Sequence, residues 1–256
     1  MIVAFLFAVG LVIGSFLNVV VWRVPRAESI VRPPSACPAC GHEIRRRDNV
    51  PVLSWLNLRG RCRDCRAAIS PRYPLVELGT AVLFALVALR FGVSAAALAY
   101  LYLAAIGVCL ALIDFDTRRL PDAIVLPSYP VLAVLLAVAS WGSGDWPALL
   151  RALIGGVVLW AAYFLLVVAY PAGMGFGDVK LAGLLGAALA WLGWGELAVG
   201  GFAAFLLGGV FSVGLLLSGR ANRKSGIPFG PWMLLGAAIG IGFGGAIWTG
   251  YLDLVL

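Results

Sequence analysis

Histidine is nearly missing from this 256-residue chain: His42 is the only one. That excludes histidine-rich metal centres and most catalytic triads, which need an imidazole as general base. Charge is also scarce. Asp, Glu, Lys and Arg make up 12% of the residues, with 12 acids against 19 bases. The remainder is 62% hydrophobic with a mean hydropathy of +1.00, far above a soluble globular protein. No strand-preceded glycine fingerprint and no phosphate-loop lysine spacing is present. What is left is a membrane chain with few acids, each of which can be weighed on its own.

Apolar stretches, measured against the roughly 20 residues that cross a bilayer, predict an all-α polytopic protein of about eight spans. They lie near 1–22, 74–91, 96–113, 123–140, 148–170, 180–194, 197–218 and 228–252. The first run lacks a basic leader region and a small-x-small cleavage site, so it reads as a retained span. Eight spans put the connections 23–73, 114–122, 171–179 and 219–227 on one face. All Lys and Arg except Arg90 and Arg151 lie in those connections or at their border, where Lys180 sits. The positive-inside rule makes that face cytoplasmic. The net charge of +7 therefore reads as topology and contact with anionic lipid, and no nucleic-acid partner is expected.

The connection 23–73 holds four of the five cysteines and eleven arginines, and reads as a small domain between the first span and a seven-helix part, 74–256. Cys37-Pro38-Ala39-Cys40 and Cys62-Arg63-Asp64-Cys65 repeat a C-x2-C pair, the pattern of a closed tetrahedral zinc site. A segment this small gains from a metal that contributes folding free energy. A cytoplasmic position disfavours the competing disulfide reading. His42 reads as a polar neighbour of the cluster, and Cys109 as a packing residue within a span.

Among the acids, Glu28, Glu43, Asp48 and Asp64 belong to the basic loop, and Asp145, Glu196 and Asp253 to the opposite face; all read as solvated or ion-paired. Glu77 stands at the start of the second span, as a helix-start charge or a substrate contact. Asp122 follows Pro121 and suits an N-cap. Asp114, Asp116 and Asp178 remain. Acids at span edges are functional candidates by default. Asp114 ends the third span and Asp178 precedes the sixth on the same face, so the two can meet, share one proton and activate water. The competing reading pairs them with Arg118, Arg119 or Lys180. Gly173, Gly175 and Gly177 favour the catalytic reading, since they permit unusual backbone and close approach of an extended substrate. The small-xxx-small spacings at Gly10 and Gly14 and at Gly236, Gly240 and Gly244 read as helix packing.

These residues resemble the bacterial type IV prepilin leader peptidases, whose G-x-G-D element is shared with other intramembrane aspartic proteases. The resemblance runs through Gly14-Ser15-Phe16-Leu17-Asn18, the paired C-x2-C motifs, Tyr73-Pro74-Leu75-Val76-Glu77, Asp114-Phe115-Asp116, Leu120-Pro121-Asp122, Gly175-Phe176-Gly177-Asp178-Val179-Lys180 and Ile227-Pro228-Phe229-Gly230-Pro231. It implies an inner-membrane endopeptidase that removes the leader of prepilins and pseudopilins at the cytoplasmic face, with Asp114 and Asp178 catalytic. Gly175, Gly177, Lys180, Glu77, Asp116 and Asp122 would support the site. Spacing alone leaves Asp116 open as the partner of Asp178. The resemblance also implies methylation of the new N-terminus from S-adenosylmethionine, associated with the N-terminal part and its loop; no residues for the methyl donor are read. Prepilins and membrane lipids are the expected partners, and the acids around the site would receive the basic leader. Two other classes stay open: a non-enzymatic membrane scaffold, which Asp178→Asn would leave working, and a proton-relaying transporter, whose acids should be spread across the bilayer.

Overall fold

The structure, a computed structural model, describes residues 1–171, 173–219 and 228–255. Most of the connection 219–227, assigned to the basic face, lies outside the described residues, as does Ile227. Among the described residues there are helices and no strands, apart from isolated bridges in the cysteine loop. In order, these are α1 (Ile2–Arg23), the short α2 (Leu53–Asn57), α3 (Arg72–Phe91), α4 (Ala95–Thr117), α5 (Asp122–Ser143), α6 (Pro147–Ala169), α7 (Phe176–Leu192), α8 (Trp194–Leu217) and α9 (Gly230–Val255). Apolar sequence on every face, with the polar backbone satisfied inside each helix, is what a bilayer demands. Seven of these helices are long and apolar enough to cross a membrane. The eighth, α7, has 17 residues, about 25 Å at the helical rise.

Two predicted boundaries move, and both matter. α4 continues to Thr117 instead of stopping at 113, and α7 starts at Phe176 instead of 180. Asp114 and Asp178 therefore lie within helices rather than in the connections beside them. Continuation costs nothing locally, because Thr117 satisfies its own helix by donating to the Ile113 carbonyl at 2.8 Å. Asp122 is the first residue of α5, and Pro121, which has no capping side chain, takes the N-cap position. The N-cap role predicted for Asp122 is thus corrected.

The chain divides into two compact units, Met1–Cys109 and Leu110–Leu256. In the first, α1 packs on α3 through glycine. A Cβ on Gly10 would stand 2.6 Å from Ala81 Cα, and one on Gly14 2.6 Å from Glu77 Cα. Lipid offers no hydrophobic drive for helix association, so backbones this close gain dispersion contacts that larger residues would forbid. The second unit uses the same device between α8 and α9: a Cβ on Gly236 would meet Ala204 N at 2.6 Å, and one on Gly244 would meet Glu196 Cα at 2.7 Å. At the α6–α7 contact, a Cβ on Gly186 would lie 2.5 Å from the Gly155 carbonyl oxygen. α7 is buried along most of its length. Its C-terminal carbonyls, which have no partner within the helix, receive Arg151: Nε donates to Ala190 O at 3.1 Å and Nη2 to Trp191 O at 3.0 Å.

Candidate active site and cysteine cluster

Asp114 lies on the last turn of α4 and is buried, 4% exposed. Asp116, two residues on and so about 200° round the helix, is exposed. The two acids that spacing alone had left open thus differ in burial. Its Oδ2 accepts the backbone N–H of Gly230 at 3.0 Å. Gly230 is the first residue of α9, where amide groups lack intrahelical acceptors and the helix dipole presents its positive end. A Cβ there would stand 2.7 Å from Asp114 Oδ2, so the contact requires glycine.

Asp178 is the third residue of α7 and is also buried. Its Oδ2 accepts the N–H of Gly175, the N-cap residue, at 3.1 Å. The glycines do not do what was expected of their backbone. Gly175 has an ordinary extended conformation (φ −80°), and neither Gly173 nor Gly177 is left-handed. Gly177 supplies space: a Cβ on it would lie 3.0 Å from Leu120 Cβ. Leu120 also comes within 3.4 Å of where a Gly230 Cβ would be, so one side chain spans the glycines that flank the two acids. Asp114 and Asp178 are thus set at two helix ends whose flanking glycines, Gly230 and Gly177, share the Leu120 side chain. Buried Tyr163 packs its ring on Phe205 and on Phe229, the neighbour of Gly230, with centroids 5.2 and 6.3 Å away.

The predicted supporting residues divide. Lys180 Nζ pairs with Asp122 Oδ1 at 2.7 Å and stands over the Phe176 ring at 5.2 Å, which joins the start of α5 to the start of α7. Among the described residues no Lys or Arg pairs with Asp114 or Asp178, so the ion-pair reading of the two acids does not hold there. Glu77 belongs to the first unit, where Oε2 accepts the Val52 N–H at 2.7 Å at the head of α2. Gly230, Leu120 and Tyr163 were missed as site residues. Gly230-Pro231 at a span start was the available signal for the first and the Leu120-Pro121-Asp122 motif for the second, whereas Tyr163 sits in apolar sequence that carries none.

In the loop, the Sγ atoms of Cys37, Cys40, Cys62 and Cys65 all lie within 4.8 Å of one another. Two turns of one shape deliver them. Cys37 N–H donates to His42 O at 2.9 Å and Gly41 N–H to Cys37 O at 2.8 Å. In the second turn Cys62 N–H donates to Ala67 O at 2.8 Å and Arg66 N–H to Cys62 O at 3.1 Å. The bridges Ala36–Glu43 and Arg61–Ala68 close the two turns alike. Gly41 and Arg66 occupy the same left-handed position, with φ +74° and +62°. The Cys37–Cys65 sulfur separation is 3.8 Å. A tetrahedron of ~2.3 Å metal–thiolate bonds has edges of about 3.8 Å, so the cluster can hold a metal ion and His42 is not needed. Backbone N–H groups of Ala39 and Cys40 pull the Cys37 thiol down to about 7, while at Cys40 a backbone hydrogen bond from His42 is outweighed by burial and the neighbouring thiols, which push it up to about 12. The surrounding arginines are partly neutralised. Arg63 grips Asp48 with two bonds, 2.7 and 2.5 Å, and Arg45 meets Asp64 at 3.1 Å.

Comparison with known proteins agrees with this division. Residues 8–91 match the bacterial peptidase A24 N-terminal domain, and residues 101–213 the type IV leader peptidase family. The prepilin leader peptidase/N-methyltransferase of Aeromonas salmonicida strain A449 is 38% identical over 277 residues, covering 98% of this chain and 94% of the relative. Those of Pseudomonas putida and Pseudomonas aeruginosa are 40% and 39% identical, covering 96% and 95% of this chain and 92% and 91% of the relatives. No solved structure matches the chain.

Proposed function

The chain belongs to the type IV leader peptidase family, and on that premise we propose that it cleaves the leader from prepilins and pseudopilins and methylates the N-terminus so exposed. It is a multi-pass membrane enzyme, and the basic loops and both aspartates are assigned to the cytoplasmic face of the inner membrane. Residues 1–22 serve as the first span, 23–73 as the zinc-binding domain and 74–256 as the peptidase part. The observation that carries the peptidase reading is the burial of Asp114 and Asp178 at helix ends whose flanking glycines share Leu120, each carboxylate fixed by one backbone N–H.

Two such carboxylates hold one proton between them. The ionised member takes a proton from water, whose oxygen attacks the scissile carbonyl carbon. The protonated member donates a hydrogen bond to the carbonyl oxygen. As the tetrahedral intermediate collapses, the C–N bond breaks and the leaving nitrogen receives the proton. The fixed N–H donors cost no reorganisation at that moment. For methylation, S-adenosylmethionine would, when bound, supply the methyl group for the new amine. Zinc is the metal that four thiolates at this spacing suit, and with no open coordination position it would act in the fold alone.

The test is cleavage of a prepilin by purified protein in detergent. Asp114→Asn and Asp178→Asn should each lower the rate by at least ~10³-fold, whereas Asp116→Asn should change it by no more than about threefold. Cleavage by either of the first two at the wild-type rate would remove that acid from the mechanism.

A further inference from the structure

The first unit contains a cavity of about 430 Å³ beneath the cysteine turns, reached by both turns, the end of α1 and the start of α3. Its size falls within the roughly 300–1,000 Å³ of small-molecule sites. Three aromatic residues, Trp22, Trp55 and Tyr73, contribute to its wall. Trp55 is fixed on two sides: its Nε1 donates to Ile69 O at 3.1 Å, and Gly60 packs so closely on the indole that a Cβ there would stand 2.9 Å from Cζ2. A preset aromatic plane costs little entropy to bind against.

The acids around this cavity differ in what remains of their charge. Asp48 and Asp64 are taken up by Arg63 and Arg45, and Glu43 is exposed. Glu77 is 8% exposed, accepts one N–H, from Val52, and among the described residues has no Lys or Arg paired with it. A buried carboxylate left without a counter-ion is costly unless a cation arrives. An aromatic wall beside such a carboxylate is the chemistry that recognises a planar base joined to a positive charge. The cavity of about 320 Å³ in the second unit offers no equivalent: it is walled by groups such as Leu136, Leu153 and Trp160, and the Tyr129 hydroxyl there already donates to Lys180 O at 2.6 Å.

We propose that the cavity between the cysteine turns and Glu77 binds the adenosyl sulfonium methyl donor, with Glu77 as the residue that recognises its cationic part. This rests on the methyltransferase reading above and gives that activity a place, in the loop unit and on residues distinct from the aspartates. The metal cluster keeps its part in the fold alone: the turns it holds form one wall of the donor site.

The experiment measures binding of labelled S-adenosylmethionine to the full-length, metal-loaded protein in detergent by equilibrium dialysis, with tryptophan fluorescence as a second readout. Wild type, Glu77→Gln and Ala68→Trp are compared, the last placing an indole in the cavity from an exposed position. Metal content and thermal midpoint report folding. Glu77→Gln is expected to weaken binding at least tenfold and Ala68→Trp to abolish it, with metal retained in both. Wild-type affinity in both variants, in a protein that methylates, would overturn this site and leave the methyltransferase reading standing. A wild-type protein that neither binds the donor nor methylates would overturn both.

Discussion

In the loop, four thiolates reach one point because two turns with the same hydrogen bonds deliver them. In the second unit, two carboxylates are set by separate elements: Asp114 by the amide at the start of α9, distant in sequence, and Asp178 by the N-cap of α7, with Leu120 resting on the glycines beside both acids. The first geometry is local and is held by a ligand. The second is non-local and is held by close packing of small residues. Whatever removes the metal should therefore unmake the first and spare the second, and a single methyl group in the wrong place should do the reverse.

The largest expected effect after the aspartate substitutions comes from the metal. A structural four-thiolate site carries ~10 kcal/mol or more of apparent binding free energy, which becomes folding free energy of the loop. Cys62→Ser, or a strong chelator, should abolish methyl transfer while prepilin cleavage changes by less than about tenfold. Mass analysis of one substrate reads both reactions, and equal loss of both would mean that the aspartate site depends on the metal-held loop as well. Gly230→Ala attacks the other side. Its Cβ would displace Asp114 Oδ2 from the α9 amide. Misplacement of a catalytic group by ~1 Å costs up to about 10²-fold, so cleavage should fall 10- to 100-fold in that estimate while methylation of a pre-cleaved substrate is retained. A wild-type cleavage rate would show that the amide does not position Asp114.

How far the sequence alone carries follows the same line. The C-x2-C pairs reveal the loop because ligand spacing is a property of a short segment, and the turns around Cys37 and Cys62 repeat it in space. Asp114 and Asp178 stand out because carboxylates are rare in apolar runs. Their helical setting was misplaced: the apolar pattern stops at 113 and resumes at 180, whereas backbone hydrogen bonding continues through Asp114 to Thr117 and already includes Asp178. Hydropathy marks where lipid ends, not where a helix does. Tyr163 was invisible because a Tyr in an apolar run looks the same whether it faces lipid or the site, and the packing of Leu120 on two glycines is a non-local contact that its motif does not announce. Of the two properties expected of Gly173, Gly175 and Gly177, unusual backbone is not what Gly177 contributes; it contributes space, as Gly230 does.

Within the packed region, Arg151→Met sharpens the account of α7. It would leave the Ala190 and Trp191 carbonyls without their charged donor, at a cost of about 2 kcal/mol. Unfolding in mixed-detergent titrations should shift to lower denaturant, with cleavage per folded molecule unchanged. An unshifted midpoint would mean that other groups satisfy the short helix at that end.

The smallest effect lies back in the loop, in the Asp48–Arg63 pair. The hydrogen bond from Arg63, then the charges of Arg63, Arg47 and Arg45, hold the Asp48 carboxyl below the usual range, against a smaller opposing effect of burial. A carboxylate with a folded pKa below its unfolded value of about 3.9 contributes stability that is present above that value and lost as pH falls through the lowered one. The stability difference between wild type and Asp48→Asn should therefore be flat from pH 8 to 5, narrowing only below about pH 4. Because the Arg63 side chain is 40% exposed, added salt should shrink the difference. Thermal unfolding of the metal-loaded protein, followed by tryptophan fluorescence at two salt concentrations, measures it. A difference that grows between pH 8 and 5 would instead tie Asp48 to protonation of the thiolates, joining ion pair and metal cluster into one unit.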